Sequence, residues 1–271
     1  MGSLYILVVL FLFITIIFVR SMNNKGVILT RNVKKKNNIK FKNQYLSNNR
    51  DYLLFSSVGK RQQKEQASSS WISDNDNRNF DIALYYYDDS MPKNCKDVCK
   101  KRKDYKWPNF AHFIENNNID HYKAIFVVDD DFYISSKDLN LMFDTFTKYK
   151  LKLAQPSMSH DSDIHFPHQR NIQGVEIKET NFIEGGLMIL TPDIAKRYKD
   201  IFLESETAYG LDFILYKKVA PARNECAIIH KVVGYHPNGP VTSSSASKNS
   251  SINGEKLMKK HGVHAYWHDI Y

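Results

Sequence analysis

The first apolar block of the chain is also its longest. Leu4 to Val19 is sixteen residues without a charged side chain. That length suits a slightly short membrane span and also the core of a signal peptide. No small-x-small cleavage site follows, since Val19-Arg20-Ser21 is a poor candidate. An uncleaved anchor over 1–20 is the expectation. From Ser21 to Arg78 the apolar pattern nearly disappears. Asn, Lys, Ser and Gln dominate, with Tyr45, Tyr52 to Phe55 and Trp71 as the large apolar exceptions. Such a segment buries too little to fold alone and predicts a flexible stem over 21–78. Within it, Asp51 to Val58 is able to dock or to form a strand. A single folded domain is expected over 79–271.

In that domain apolar runs of strand length alternate with helical spacing. Asp81 to Tyr87 reads as a strand closed by Asp88-Asp89-Ser90, and Lys106-Trp107-Pro108 with Phe110 to Ile114 suits a helix packed on it. Lys123 to Val128 is a second strand. Ser136 reads as an N-cap, and Leu139, Met142, Phe143 and Phe146 follow at amphipathic helical spacing. Leu151 to Ala154 is a strand ending at Gln155-Pro156. Phe182 to Leu190 contains another, interrupted by Gly185-Gly186. Thr191-Pro192 opens a helix whose apolar face is Ile194, Tyr198, Ile201 and Phe202. Leu211 to Val219 is a helix, Ala227 to Val233 a strand, and Ser243 to Ser251 a polar loop. This alternation predicts an α/β domain with a largely parallel sheet.

Composition adds little to that picture. The chain has 271 residues, 42% hydrophobic and 25% charged, which is ordinary for a globular protein. The net charge of +9 comes largely from Lys25 to Lys64 and Lys93 to Lys106. Basic runs of this kind are most often solvated arms, and no nucleic-acid-binding motif accompanies them, so no nucleic-acid partner is expected. Three cysteines are too few for a disulfide framework. Cys95 and Cys99 are expected to pair or to stay free thiols rather than to bind metal.

The chemistry centres on Ala124 to Phe132. Apolar residues lead straight into Asp129, Asp130 and Asp131, which places three carboxylates at the carboxyl end of a strand. In open α/β sheets ligands bind at that rim. Three adjacent like charges repel one another unless a cation sits among them. Hard oxygen ligands suit Mg²⁺ or Mn²⁺, which proteins often share with substrate phosphates. The plain alternative is a solvated acidic turn. Other segments are possible neighbours of the triplet. Glu184-Gly185-Gly186 marks either close approach to the backbone or a bulge. Tyr209-Gly210-Leu211-Asp212 places an acid in a helix's first turn, where it also complements the dipole. His236 lies between Gly234 and Pro237. The loop containing His160, Asp161, Asp163, His165 and His168 reads as a rim.

These segments, taken in order, resemble a glycosyltransferase-like family of plants and bacteria, whose plant members are labelled "lysine ketoglutarate reductase trans-splicing related". The resemblance spans about Phe80 to Pro240. It rests on Phe80-Asp81-Ile82-Ala83-Leu84 with Tyr86-Tyr87-Asp88, Lys106-Trp107, Asp129-Asp130-Asp131, Gln155-Pro156-Ser157, Thr180-Asn181-Phe182-Ile183-Glu184, Gly210-Leu211-Asp212, and His236 with Pro240. That family is similar to the GT-A glycosyltransferases, which use nucleotide-sugar donors on a Rossmann-like fold. The resemblance implies that Asp129 and Asp131 form an Asp-x-Asp motif holding Mn²⁺ or Mg²⁺, with His236 completing the metal site. It implies donor contacts from Asp130, Glu184, Gly185 and Gly186, and from Asp88 toward the nucleoside. Asp212 is then the acid that takes the acceptor's proton if the enzyme inverts. The chain departs from the family pattern at Tyr209, His230 and Ile183-Glu184-Gly185, of which the first and third touch the acceptor and donor walls and bear on substrate identity.

The expected protein is thus a membrane-anchored, metal-dependent glycosyltransferase that transfers sugar to a glycan, protein or lipid acceptor. The alternatives are a tethered, non-catalytic binding protein of the same fold and a metal-dependent enzyme acting on a phosphate ester. The charges flanking Leu4 to Val19 would by themselves place the body of the protein in the cytosol. The resemblance implies a type II Golgi or ER protein with a lumenal domain, compatible with the Asn249-Ser250-Ser251 sequon.

Overall fold

The computed structural model describes residues 50–60, 78–95, 97–164, 166–237, 245–266 and 270, the side chains of 245–248 excepted. All of them belong to one compact unit. The Leu4 to Val19 run and most of the expected stem lie outside the described residues. Among those described, no helix is long and apolar enough to cross a membrane.

The strand expected from Ala124 to Val128 forms as β4 and lies inside an eight-stranded sheet. Its continuous apolar run has a simple cause, because both of its faces are covered. Ile125 and Val127 enter one core, while Ala124, Phe126 and Val128 enter the other. Phe126 is fully buried, and truncating it to Ala would cost about 3–5 kcal/mol. The other strands are β1 (Tyr52–Val58), β2 (Phe80–Tyr86), β3 (Val98–Lys101), β5 (Leu153–Met158), β6 (Ile177–Glu179), β7 (Leu187–Leu190) and β8 (Cys226–Gly234), in the order β3-β2-β1-β4-β7-β5-β8-β6.

Residues 52–58, expected in the stem, prove central. β1 pairs in parallel with β2 on one side and β4 on the other. All seven of its residues are buried, and the Ser56 hydroxyl donates to the Val128 carbonyl at 2.8 Å. The strand allowed for Asp51 to Val58 thus forms, and its polar surroundings hid only its place in the sheet, because its hydrogen bonds are supplied by distant segments. The folded domain therefore begins at or before Tyr52 rather than near Phe80. The sheet is also less parallel than expected. Four of its seven pairings are parallel, and three are antiparallel: β4 with β7, β7 with β5, and β8 with β6.

Helix α1 (Lys106–Asn116) packs Trp107, Phe110 and Phe113 on one face of the sheet. The same core takes residues from α3 (Pro192–Arg197), α4 (Lys199–Glu204), α5 (Leu211–Val219) and α6 (Ser245–Lys260). Helix α2 (Ser136–Lys148) covers the other face with Leu139, Met142, Phe143 and Phe146. Its cap is Ser135, not Ser136, with the Ser135 hydroxyl accepting from the Asp138 amide at 3.0 Å. The helix expected through Phe202 breaks at Tyr198 (φ −107°, ψ 16°), whose hydroxyl donates to the Lys218 carbonyl. Residues 245–251, expected as loop, begin α6 instead. Leu257 and Met258 anchor that helix in the core, and tertiary packing overrides its weak N-terminal propensity.

Candidate active site

Sheet direction decides which loops meet. The chain moves from β1 outward to β2 and β3, then returns to place β4 on β1's other side. A reversal of this kind opens a crevice at the strands' carboxyl ends, between β1 and β4. Asp129 to Asp131 leave β4 at that crevice. β7 runs opposite to β4, so its amino end, with Glu184 to Gly186, reaches the same edge. β5 runs opposite to β7, and β8 runs with β5, so the carboxyl end of β8, leading to His236, arrives there too.

Backbone contacts tighten this convergence. The Asp129 amide donates to the Gly186 carbonyl at 2.9 Å, and Tyr133 and Tyr235 exchange two hydrogen bonds of 2.8 Å. Phe132 lies against Gly234, where a Cβ would sit 1.8 Å from the ring. Only glycine lets the end of β8 come this close. The contact brings His236 Nε2 to 3.1 Å from Asp131 Oδ1. Burial opposes a proton on His236, but the hydrogen bond to Asp131 and the charges of Asp131, Asp129 and Glu184 outweigh it and raise its pKa. The histidine-containing loop serves this pair from behind. The His236 amide donates to Ser162, and the Asp163 amide donates to the His236 carbonyl.

Asp129 faces elsewhere. Lys106, the first residue of α1, forms an ion pair with its carboxylate. The metal set Asp129, Asp131 and His236 is therefore only partly brought together. Asp131 and His236 touch, whereas Asp129 is held by Lys106. Among the described residues no group of three or more His, Cys, Asp or Glu side chains is arranged to hold a metal ion. The oxygen of Asp131 and the nitrogen of His236 still suit a divalent cation, which would replace the contact between them.

Asp130 accepts from the Tyr87 hydroxyl at 2.9 Å. Burial raises its pKa to about 6, helped by the charges of Asp131 and Asp129 and opposed by the Tyr87 hydrogen bond. Tyr87 in turn lies over Gly59, where a Cβ would meet its ring at 2.3 Å. A cleft of about 570 Å³ opens here, lined by Ser57, Tyr87, Lys103 to Lys106, Asp129 and Asp130. Asp88 has a structural task. It accepts from the amides of Lys60 at 2.7 Å and Ser90 at 2.9 Å, closing the turn after β2. Its neighbour Tyr87 lines the cleft.

Gly186 lets the Asp129 carboxylate come close, because a Cβ there would lie 2.6 Å from Asp129 Oδ2 and the carboxylate would have to move. At Gly185 a Cβ would meet Ala208 at 2.8 Å, and its carbonyl accepts from Trp107 Nε1. Glu184 is held twice: its amide donates to Gln155, and its carboxylate accepts from Gln169 at 2.9 Å. Asp212 lies in the first turn of α5, 7% exposed. Burial raises its pKa to about 8, opposed by backbone amides that include Phe213, while the charge of Glu184 adds to the rise. Gly210 before it has φ 85°, and a Cβ there would meet the Gly254 carbonyl of α6 at 2.8 Å. Helix α6 thus fixes the start of α5 and with it Asp212. Sequence reasoning missed Lys106, Tyr87 and Gly234, because their roles come from contacts made over long sequence separations.

No protein-family model matches the sequence, and no curated protein matches it significantly. Solved structures match in fold. The chain is similar to S. aureus TarS in complex with UDP-GlcNAc, with TM-score 0.50 and 10% identity over 78% of this chain and 65% of that one. It is similar to S. aureus TarS in a longer form, with TM-score 0.51 and 9% identity over 78% of this chain and 39% of that one. It is similar to GalNAc-T7 with UDP, GalNAc and Mn²⁺, with TM-score 0.52 and 10% identity over 79% of this chain and 48% of that one. The chain thus spans between 39% and 65% of the lengths of these proteins. Likeness at such identity concerns the fold, which is a mixed α/β fold with a central sheet flanked by helices, as in these glycosyltransferase structures.

Proposed function

We propose that the chain is a membrane-anchored, divalent-cation-dependent glycosyltransferase that takes a sugar from a nucleotide-sugar donor to an acceptor hydroxyl. The observation that carries this reading is the convergence of Asp129, Asp131, His236 and Glu184 on one sheet edge, beside the cleft lined by Tyr87 and Lys106. The fold neighbours bound to UDP-GlcNAc, or to UDP and Mn²⁺, support the same reading.

The residues divide the work. The Tyr87 and Tyr105 rings wall the cleft for the nucleoside. Asp131 and His236 would hold Mn²⁺ or Mg²⁺. A bound cation would neutralise charge on the departing nucleoside diphosphate. Gly185 and Gly186 let the backbone pack against Ala208 and Asp129, and this close packing sets Glu184, clamped by Gln155 and Gln169, toward the sugar. Asp212 takes the acceptor proton. A pKa raised toward neutrality matches a general base to its operating pH.

For location, we propose a type II protein with a lumenal domain. The Cys95–Cys99 disulfide supports this, because such bonds persist in oxidising compartments. So does the Asn249 sequon, which lies exposed on α6.

The test is a donor screen on the full-length chain in detergent with Mn²⁺, read as thermal stability. A ligand at one hundred times its Kd adds about 2.7 kcal/mol, roughly 5–10 °C for a domain of this size. No shift with any common nucleoside diphosphate or nucleotide sugar would end the proposal. Donor hydrolysis without acceptor separates an enzyme from a binding protein, and release of phosphate rather than sugar would point to a phosphate-ester enzyme.

A further inference from the structure

Lys106 is the most completely engaged cation of the candidate site. Its side chain is 11% exposed. Its ammonium donates to the Asp129 carboxylate, to the Gly185 carbonyl at 3.0 Å and to the Gly186 carbonyl at 3.3 Å. An ammonium has three N–H groups, so all three are used. The amine also lies 5.6 Å from the Trp107 ring centre, and Trp107 Nε1 donates to the same Gly185 carbonyl. Lys106 lines the cleft together with Asp129 and Asp130. Burying a charge is costly unless it is paired, so the arrangement amounts to a built cation site filled by the protein's own amine.

Asp129 already carries a cation. One oxygen pairs with Lys106, while the carboxylate as a whole stays 42% exposed, so a metal there would have to share it with the amine. We propose that Lys106 is the resident cation of the donor site. It meets a phosphate of the donor by exchanging its longest contact, the 3.3 Å one to the Gly186 carbonyl, and a divalent ion bound by Asp131 and His236 adds to that grip rather than creating it. Lysine suits this role as a compact point charge with rotatable donors. The inference rests on the donor reading above and deepens it: nucleoside diphosphate binding should survive, weakened, without any divalent cation.

The experiment is calorimetric titration of UDP, and of the nucleoside diphosphate that gives the largest shift in the screen, into the full-length chain. It is run in Mn²⁺ and again in EDTA, for wild type, Lys106→Met and Lys106→Arg. Wild type in EDTA should bind about tenfold more weakly than in Mn²⁺, and Lys106→Met in EDTA should lose a further 10- to 100-fold, about the value of a charge-assisted hydrogen bond. Lys106→Arg should keep binding in EDTA within about tenfold of wild type. If the Met variant does not fold, the wild-type and Arg titrations in EDTA still decide. Binding by wild type in Mn²⁺ with none in EDTA overturns the inference and leaves the donor reading standing. Unchanged EDTA affinity in Lys106→Met also overturns it. Absence of binding in both conditions removes the donor reading itself.

Discussion

Asp212→Asn should stabilise the protein at neutral pH, and the size of the effect follows from burial. The carboxyl is 7% exposed, and its pKa rises from 3.8 to about 8 because burial disfavours the charged form. In the unfolded chain the group ionises near its ordinary value. The native state therefore holds a proton that the unfolded state has released between those two values. The stability linked to this proton is fully present below about pH 4 and is lost as pH rises toward 8. At pH 7 the unfolded carboxyl is about three units above its pKa, at 1.36 kcal/mol each, so burial of this one group costs about 4 kcal/mol. At pH 5 the same count gives about 1.6 kcal/mol. An amide is neutral at both pH values, fills the same space and still accepts from the Phe213 amide, which bonds Asp212 at 2.9 Å. Wild type should thus lose about 2–3 kcal/mol more than the variant between pH 5 and pH 7, or roughly 5–10 °C in Tm. The assay is thermal unfolding of the full-length chain across that range. Parallel curves for the two proteins would refute the burial argument.

The same pKa makes a kinetic prediction: transfer should rise with pH, reach half its maximum near 8 and level off above it, and Asp212→Asn should keep donor binding while losing transfer; equal turnover by the variant removes its role as base. Asp131→Asn should abolish the Mn²⁺-dependent part of the nucleotide thermal shift, with little change in unliganded Tm. Gly186→Ala should push Asp129 off Lys106 and weaken UDP binding about tenfold at a stability cost of about 1 kcal/mol, measured by titration and by urea unfolding. Gly234→Ala, with its Cβ 1.8 Å from the Phe132 ring, should cost about 3 kcal/mol or more in urea and also separate Asp131 from His236.

Much of this architecture is visible in the sequence where local pattern and burial agree. β4 is a continuous apolar run because both its faces are covered, and α2 shows its buried stripe because its outer face is solvated. The acidic triplet is legible as a site because a strand delivers it. β1 is half legible: Asp51 to Val58 reads as able to form a strand, but its polar neighbourhood places it in the stem, and only pairing with β2 and β4 makes it central. α6 hides for the opposite reason, since its serines and asparagines favour loops while Leu257 and Met258 hold the helix in the core. At the site, the Asp131–His236 contact spans 105 residues and depends on Gly234 meeting Phe132. No spacing rule encodes that. Lys106 is concealed in a basic stretch that reads as solvated charge, and only α1's placement against β1, with Trp107 bonded to the Gly185 carbonyl, turns it toward Asp129.

The most direct test is an experimental density map of the full-length chain with UDP and Mn²⁺. The account predicts the nucleoside between Tyr87 and Tyr105, a phosphate oxygen within hydrogen-bond reach of Lys106 Nζ, and the metal between Asp131 and His236. UDP bound away from the β1–β4 crevice, with Asp131 and His236 still in direct contact, would contradict it.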